Sequence, residues 1–321
     1  GMVTESRSVS GQTPPPEREL SHVTQLLQGG EVATELRREI RSATAHLIEC
    51  GGEVPRLATV NASANPAAAA YRRSIAKTLD RLGLVHLAVD LPAGSTNVDL
   101  RQLLQELSAD RTVSGVLVLM PLPAHFSGEV VNEYLHPMKD VDGITPANAG
   151  RLHLGLPCLA PSTPQGGLLL LDHYDIPIEG AHAVVVGRSN VVGRPLAALL
   201  TSRNATVTIC HSKTIDLPKH TRSADILAVA TGSPRWLDRD FVRPGAAVLD
   251  FGINVEDGKV VGDANFADLL GHAGAITPVP GGTGPVTALV LARNTVAAAF
   301  AQLGGTMESL ASAFDEFACP T

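Results

Sequence analysis

His182-Ala-Val-Val-Val-Gly-Arg-Ser-Asn-Val-Val-Gly-Arg-Pro-Leu-Ala-Ala-Leu-Leu200 reads as a strand, a glycine turn and a helix in immediate succession. The apolar run before Gly187 is short and β-branched, the pattern of a strand buried on both faces of a parallel sheet. Gly187 permits a sharp turn, and Gly193 permits close approach of helix to strand. Such a unit offers backbone N–H groups and the positive end of a helix to a phosphate. The leading reading is therefore a cofactor-using enzyme. The spacing is not the usual Gly-x-Gly-x-x-Gly, so the strand before it and the helix after it carry the inference.

On either side the chain keeps alternating between β and α. Strands are expected at Ala205–Cys210, Asp225–Ala230, Ala246–Asp250 and Ala275–Ile276, with a helix at Gln165–Asp172. Upstream, residues 25–50 read as a helix with Ala33, Leu36, Ile40, Ala43 and Leu47 on one face. Strands at Leu57–Val60, Val85–Val89 and Gly115–Met120 alternate with helices at Ala67–Leu84 and Leu100–Leu107. The pattern predicts an α/β protein of two domains with parallel sheets, the second a Rossmann-like doubly wound domain. The domains are expected at 25–155 (with about 286–321 returning to it) and 156–285. Asp140–Leu156 reads as a loop-like hinge. The apolar helix Val286–Leu303 is expected to pack back on the first domain.

The bulk numbers exclude several classes. The 321 residues carry a net charge of −7 and only 3% aromatics, which argues against nucleic-acid binding by charge or by base stacking. No apolar run is read as reaching transmembrane length, so no membrane partner is expected. Cys50, Cys158, Cys210 and Cys319 lie far apart without zinc-like spacing, and no histidine cluster suggests a ligand set. Reduced thiols, a cytoplasmic protein and no bound metal are the expectation. Residues 1–24, with Pro14-Pro15-Pro16, read as a flexible tail lacking a signal-peptide core, and Gly1 before Met2 reads as a tag-cleavage remnant.

The strand after the glycine turn ends Cys210-His-Ser-Lys-Thr214. A site built for NAD places an acid here to hold the ribose hydroxyl. Instead the chain has Ser212 and Lys213, with Arg188 in the turn. That chemistry favours a 2′-phosphate, and so NADP. His211 is read as shaping this loop, and His125 as a surface histidine.

Four strings together resemble one family: Lys139-Asp-Val-Asp-Gly143, Pro161-Ser-Thr-Pro-Gln-Gly166, the Val186-Gly-Arg-Ser189 turn and Ile276-Thr-Pro-Val-Pro-Gly-Gly282. They are similar to the methylenetetrahydrofolate dehydrogenase/methenyltetrahydrofolate cyclohydrolase proteins over roughly residues 25–303. The resemblance implies a folate-facing domain, an NADP domain and a cleft between them. Its chemistry is oxidation of 5,10-methylenetetrahydrofolate by hydride transfer, followed in most members by hydrolysis of the methenyl product. A homodimer through the nucleotide domain is implied too. Carried onto this chain, the cofactor site comprises Gly187, Arg188, Ser189, Val192, Gly193, His211, Ser212, Lys213, Ala230, Thr231, Gly232 and Ile253. The catalytic pair is Tyr71 and Asp142, and the folate pocket adds Leu119, Pro121, Pro280, Gly281 and Gly282.

The chain departs from that family at two matched positions. The catalytic lysine follows the tyrosine by four residues, but here Ile75 stands there; Lys77 matches a second basic position. At roughly 100° per residue, position 75 lies about 40° around the helix from Tyr71, and position 77 about 120°. Lys77 should therefore face away from the cleft. The glutamine that partners the lysine is replaced by Leu119 in Leu119-Met-Pro-Leu-Pro123. Ser162 for the usual cysteine and Thr283 for the usual valine remove no catalytic group. Hydride transfer asks for placement, whereas ring hydrolysis asks for a proton carrier. The reading is a dehydrogenase with weak or absent cyclohydrolase. Full bifunctionality, or a non-catalytic folate and nucleotide binder, stay open as alternatives.

Overall fold

The computed structural model describes residues 23–314 and 318–320; the tail expected at 1–24 lies almost wholly outside them. The described residues begin with the short strand β1 (Gln25–Leu26) and the helix α1 (Gly30–Glu49). β2 (Arg56–Asn61), α2 (Pro66–Arg81), β3 (Val85–Asp90), α3 (Asn97–Ala109) and β4 (Gly115–Val118) build a three-stranded parallel sheet in the order β3-β2-β4. Local chemistry sets its helix starts. Asn65 caps α2 through the Ala67 N–H with Pro66 in the first turn, and Thr96 and Asp99 form a reciprocal capping box on α3.

After α4 (Gly128–Tyr134), α5 (Pro146–His153) and α6 (Ser162–His173) comes the second domain. It contains β5 (His182–Val186), α7 (Gly193–Ser202), β6 (Thr206–Cys210), α8 (Leu217–Thr221), β7 (Ile226–Val229) and β8 (Ala247–Asp250). The hairpin β9 (Asn254–Glu256) and β10 (Lys259–Val261), α9 (Phe266–Leu269) and β11 (Ala275–Ile276) complete it. Six strands form one parallel sheet in the order β1-β11-β8-β7-β5-β6. The order reverses at β5, with β6 on one side and β7 on the other. Ligands bind at such reversals, beyond the carboxyl ends of the strands.

The last long helix, α10 (Gly284–Gly304), packs against α1, α2 and α6, as expected. Its Leu289, Val290, Leu291, Val296 and Phe300 join Leu36, Ile40 and Leu47 of α1 in one buried cluster. It is long and apolar enough to cross a membrane by length and composition, against the sequence reading, but it lies mostly buried as the core helix of the first domain. α6 joins the two domains, with Leu170 in the first core and Leu168 and Leu171 in the second.

Three further expectations need correction. Gln25–Leu26 is not helical: it pairs with β11 and adds a strand to the nucleotide-domain sheet. The Asp140–Leu156 segment is not a loose hinge, because α5 occupies Pro146–His153. The Asp140 carboxylate pins this segment by accepting from the Ile144 and Thr145 N–H groups, the Thr145 hydroxyl and the Asn148 side chain. Nor are the cysteines all free thiols: Cys50, at the end of α1, is disulfide-bonded to Cys319. Closing a separation of 269 residues restricts the unfolded chain by on the order of 5 kcal/mol. Sequence spacing hides this pair because the fold, not the local chain, brings its halves together.

Candidate active site

Tyr71, Leu119 and Asp142 converge with Val192 and Ile253 on one cavity of about 430 Å³ between the domains. Each reaches it for a local reason. Tyr71 stands on α2, Leu119 follows β4, and Asp142 lies in the loop that Asp140 closes by accepting from Ile144, Thr145 and Asn148. Gly143 after it has φ +64° and would meet the Leu159 carbonyl if it carried a side chain, so the turn requires glycine. Ser162 and Thr163 of α6 and Thr283, Gly284 and Thr287 at the start of α10 close the floor. Met120, Val191 and Ile253 line it while 44%, 43% and 74% exposed, an unusual amount of open apolar surface in one cleft. Pro121 adjoins it through Met120, but Pro280, Gly281 and Gly282 are not among its lining residues. The Gly281 carbonyl instead accepts the Gly29 N–H, tying this loop to the start of α1.

The electrostatics single out Asp142. Burial first, and then the charge of Asp140, push its carboxyl up to about 7. No hydrogen-bond donor reaches it among the described residues, whereas Asp140 two residues earlier accepts four. Tyr71 is pushed up to about 12 by burial and then by Asp142, with a hydrogen bond from Ser162 offsetting part. A phenol so held is a poor base at neutral pH. Ile75 is 1% exposed and Leu119 3%, and both belong to the apolar cluster that backs the cavity. Lys77 is exposed and does not line it, but neither does Ile75: α2 presents Tyr71 and Ser74 to the cavity and turns Ile75 into the core behind it.

The nucleotide side is built on contact between backbones. Gly187 has φ +131°, and a Cβ there would lie 2.7 Å from the Ala230 carbonyl oxygen. A Cβ on Gly193 would collide with the Gly187 carbonyl. The turn between them is held by the Ser189 hydroxyl, which accepts the Val192 N–H at 3.1 Å, and by Arg194 Nε donating to the Arg188 carbonyl. In the next loop, His211 Nδ1 accepts the Lys213 N–H and Thr214 Oγ1 accepts the His211 N–H, leaving Ser212 and Lys213 exposed. His211 thus shapes the loop as expected. His125 shares a hydrogen bond between its Nε2 and the Ser95 carbonyl, and does not line the cavity.

Sequence reasoning missed a buried carboxylate pair behind this wall. Asp263 Oδ2 accepts the Thr231 N–H at 2.6 Å, the Thr231 hydroxyl at 2.8 Å and the Gly232 N–H at 3.3 Å, while its Oδ1 accepts from Asn254 Nδ2. Asp250 accepts the N–H groups of Gly252, Asp263 and Ala264. Burial raises Asp250 to about 6, with the neighbouring Asp263 charge adding to the shift. Together they brace the 230–232 and 252–254 turns, where Ala230, Thr231, Gly232 and Ile253 lie. Positions thirty-two residues apart in sequence gave no local signal.

Two α/β domains thus meet at one cleft, and comparison with known proteins identifies the family. Residues 27–142 match the tetrahydrofolate dehydrogenase/cyclohydrolase catalytic domain, and residues 161–303 match the NAD(P)-binding domain of the same family. The chain belongs to this family. It is 47% identical over 279 residues to the bifunctional protein FolD of Roseiflexus sp. (strain RS-1), covering 87% of this chain and 97% of that one. With FolD of Chloroflexus aurantiacus the identity is 48% over 280 residues, covering 87% and 98%. The crystal structure of the bifunctional FolD of Campylobacter jejuni superposes with a TM-score of 0.83 at 41% identity, covering 86% and 98%. The Trypanosoma brucei dehydrogenase-cyclohydrolase, solved with NADP cofactor and an inhibitor, gives 0.80 at 32%, covering 85% and 96%. The α/β fold of two domains and the nucleotide-binding role of the second therefore stand as read from the motifs.

Proposed function

We propose that this chain is an NADP-dependent methylenetetrahydrofolate dehydrogenase in which the cyclohydrolase step is weak or lost. What supports the reading is an apolar residue at each of the two positions where the family resemblance implies a reacting lysine and glutamine. Leu119 lines the cavity, Ile75 is buried in the apolar core behind it, and Lys77 is exposed and lies outside the lining as well.

The residues present fit the cofactor. Gly187 and Gly193 let the turn close directly against the Ala230 and Gly187 carbonyls, where a Cβ would collide, and the backbone N–H groups at the start of α7 suit a pyrophosphate. Arg188, Ser212 and Lys213 stand at the adjoining turns and would hold a 2′-phosphate. When bound, NADP+ supplies the hydride acceptor. Asp142 accepts paired hydrogen bonds from the pterin's amino group and ring N–H, a charge-assisted contact. Val191, Ile253 and Met120 cover the reacting rings and exclude water. Placement is then what the protein contributes, because the folate nitrogen's own electrons expel the hydride.

Hydrolysis of the methenyl product needs a group that gives and takes protons beside the reacting carbon. Asp142, near 7 in the free protein, is the titrating group close by. Pterin donors would hold it ionised and engaged, so it is not free to shuttle protons. Separate assays decide the matter: NADPH formation from methylenetetrahydrofolate, and loss of the methenyl chromophore without cofactor. The reading requires the first and little of the second. A vigorous second activity, abolished by a folate-site inhibitor, overturns it; NADP+ binding without NADPH formation supports a binding protein instead.

A further inference from the structure

The family match ends at residue 303, yet the chain continues and returns to the first domain. Glu308 pairs with Arg151 at 2.7 Å, Phe314 lies under the Arg293 guanidinium at 4.2 Å, and Cys319 reaches Cys50. Where this segment lands, three donor side chains meet. Cys50, Cys319 and His46 have their sulfur and ring nitrogen atoms within 4.8 Å of one another. His46 and Cys50 are four residues apart on α1, the spacing that aligns two side chains on one helix face.

We propose that in the reduced protein His46, Cys50 and Cys319 bind a zinc-like divalent cation, and that the disulfide masks this site. A tetrahedral ion with metal–sulfur near 2.3 Å and metal–nitrogen near 2.0 Å sets those donor atoms roughly 3.5 Å apart. Cys50 Sγ lies 3.7 Å from His46 Nε2. The other ring nitrogen, Nδ1, stands 3.9 Å from Glu49 Oε2, where an outer carboxylate orients a ligating imidazole. The site is at the carboxyl end of a helix, where a cation is favoured. His46 is further fixed by stacking on Phe300 of α10. Nε2 now lies 2.9 Å from the Ala318 carbonyl, so the ring already meets the returning segment and exchanges one partner for another on binding.

The conversion balances. A thiol reductant delivers two electrons and two protons to Cys50–Cys319, giving two thiols and leaving the reductant as its own disulfide. Metal binding then releases the thiol protons. Either state ties the appended segment to α1, so the fastening survives a change of redox environment by changing its chemistry.

Cobalt(II) is the probe, because thiolate ligation gives it near-ultraviolet charge-transfer absorption. Titration of the reduced full-length protein is expected to saturate at one equivalent, and the oxidised protein is expected to stay silent. Cys50→Ser and Cys319→Ser abolish the band. His46→Ala weakens binding by about 10–100-fold, the loss typical even for groups that only orient a ligand. Dehydrogenase activity, whose residues lie elsewhere, reports that each variant is folded. A second measurement needs no variant: zinc should slow alkylation of Cys50 and Cys319 while Cys158 and Cys210 alkylate at unchanged rates. Absence of the thiolate band in reduced protein, a band that survives Cys319→Ser, or alkylation indifferent to zinc overturns the site and leaves the pair as a disulfide only.

Discussion

The two walls of the central cleft treat their carboxylates in opposite ways. On the nucleotide wall, Asp250 and Asp263 are buried and saturated with donors, so the turns they hold are fixed before any ligand arrives. On the folate wall, Asp142 has no donor among the described residues and is pushed up to about 7. Beside it, Leu119 lines the cavity with Ile75 buried behind, at the positions where the family resemblance implies a glutamine and a lysine. One wall is complete in itself, and on the proposed reading the other leaves its charge to be satisfied by the substrate. A protein can lose a proton-transfer step on the second wall while the first still binds and orients its cofactor.

The largest effect should come from rebuilding the folate wall. Ile75→Lys with Leu119→Gln is expected to raise cyclohydrolase activity by about 10²–10⁴-fold, the usual contribution of a general acid–base group. Ile75→Lys alone should melt earlier and gain less, since it buries an ammonium without its partner. The two changes should therefore couple when compared in a double-mutant cycle. No gain in a folded double variant would mean that the apolar pair is not what limits the hydrolytic step.

Breaking the other wall should give a smaller and different loss. Asp263→Asn puts an amide where either Asn254 or the Thr231 and Gly232 N–H groups need an acceptor. The KM for NADP+ is expected to rise about tenfold, the worth of one charge-assisted hydrogen bond, with kcat changed far less. Combining it with Asn254→Asp restores a donor facing an acceptor, and KM should return toward its original value. Failure of the swap to rescue, in a folded chain, would make Asp263 a general core residue.

The same asymmetry predicts a pH dependence of similar or smaller size. If Asp142 accepts from the pterin as proposed, it must be ionised, and kcat/KM for the folate should climb about tenfold between about pH 6 and 8, following a free-enzyme group near 7. Stability moves in the opposite direction. The folded pKa lies above the unfolded value of about 3.9, so the contribution of Asp142 to the ligand-free protein is complete below about pH 4 and is lost as pH rises through 7. Asp142→Asn should flatten both profiles while weakening folate binding.

Much of this was legible in the sequence, and the reasons differ by region. The strand–turn–helix at Gly187 was visible because its signals are consecutive: an apolar run, two glycines and a helix. Ile75 could be placed apart from Lys77 because helical angles follow from counting. Asp263, Asn254 and the Cys50–Cys319 pair were not legible, since their partners are chosen by how sheets and helices stack. Gln25–Leu26 read as helix because the apolar period of α1 extends back through it, yet pairing with β11 satisfies the backbone better there. Within Lys139-Asp-Val-Asp-Gly143, composition could not separate the two aspartates. Only the hydrogen bonds separate them: Asp140 holds the loop, while Asp142 has no donor among the described residues.

The smallest expected effect tests the comparison most sharply. Lys77 is the residue that sequence similarity alone would nominate to replace the missing lysine, being basic and two positions away. In the structure both positions lie outside the cavity lining, Lys77 exposed and Ile75 buried in the core behind it. Reaching the pterin would require α2 to rotate by nearly a third of a turn, which would draw Ile75 and Leu79 out of the core cluster they share. Losing the burial of two such side chains costs roughly 3–6 kcal/mol, more than a surface helix contact returns. Lys77→Ala is therefore expected to leave both dehydrogenase and any residual cyclohydrolase rate within about twofold, as a surface substitution away from the site should. A selective collapse of the hydrolytic rate in that variant would show that the folate wall keeps a proton carrier after all, reached by a motion of α2.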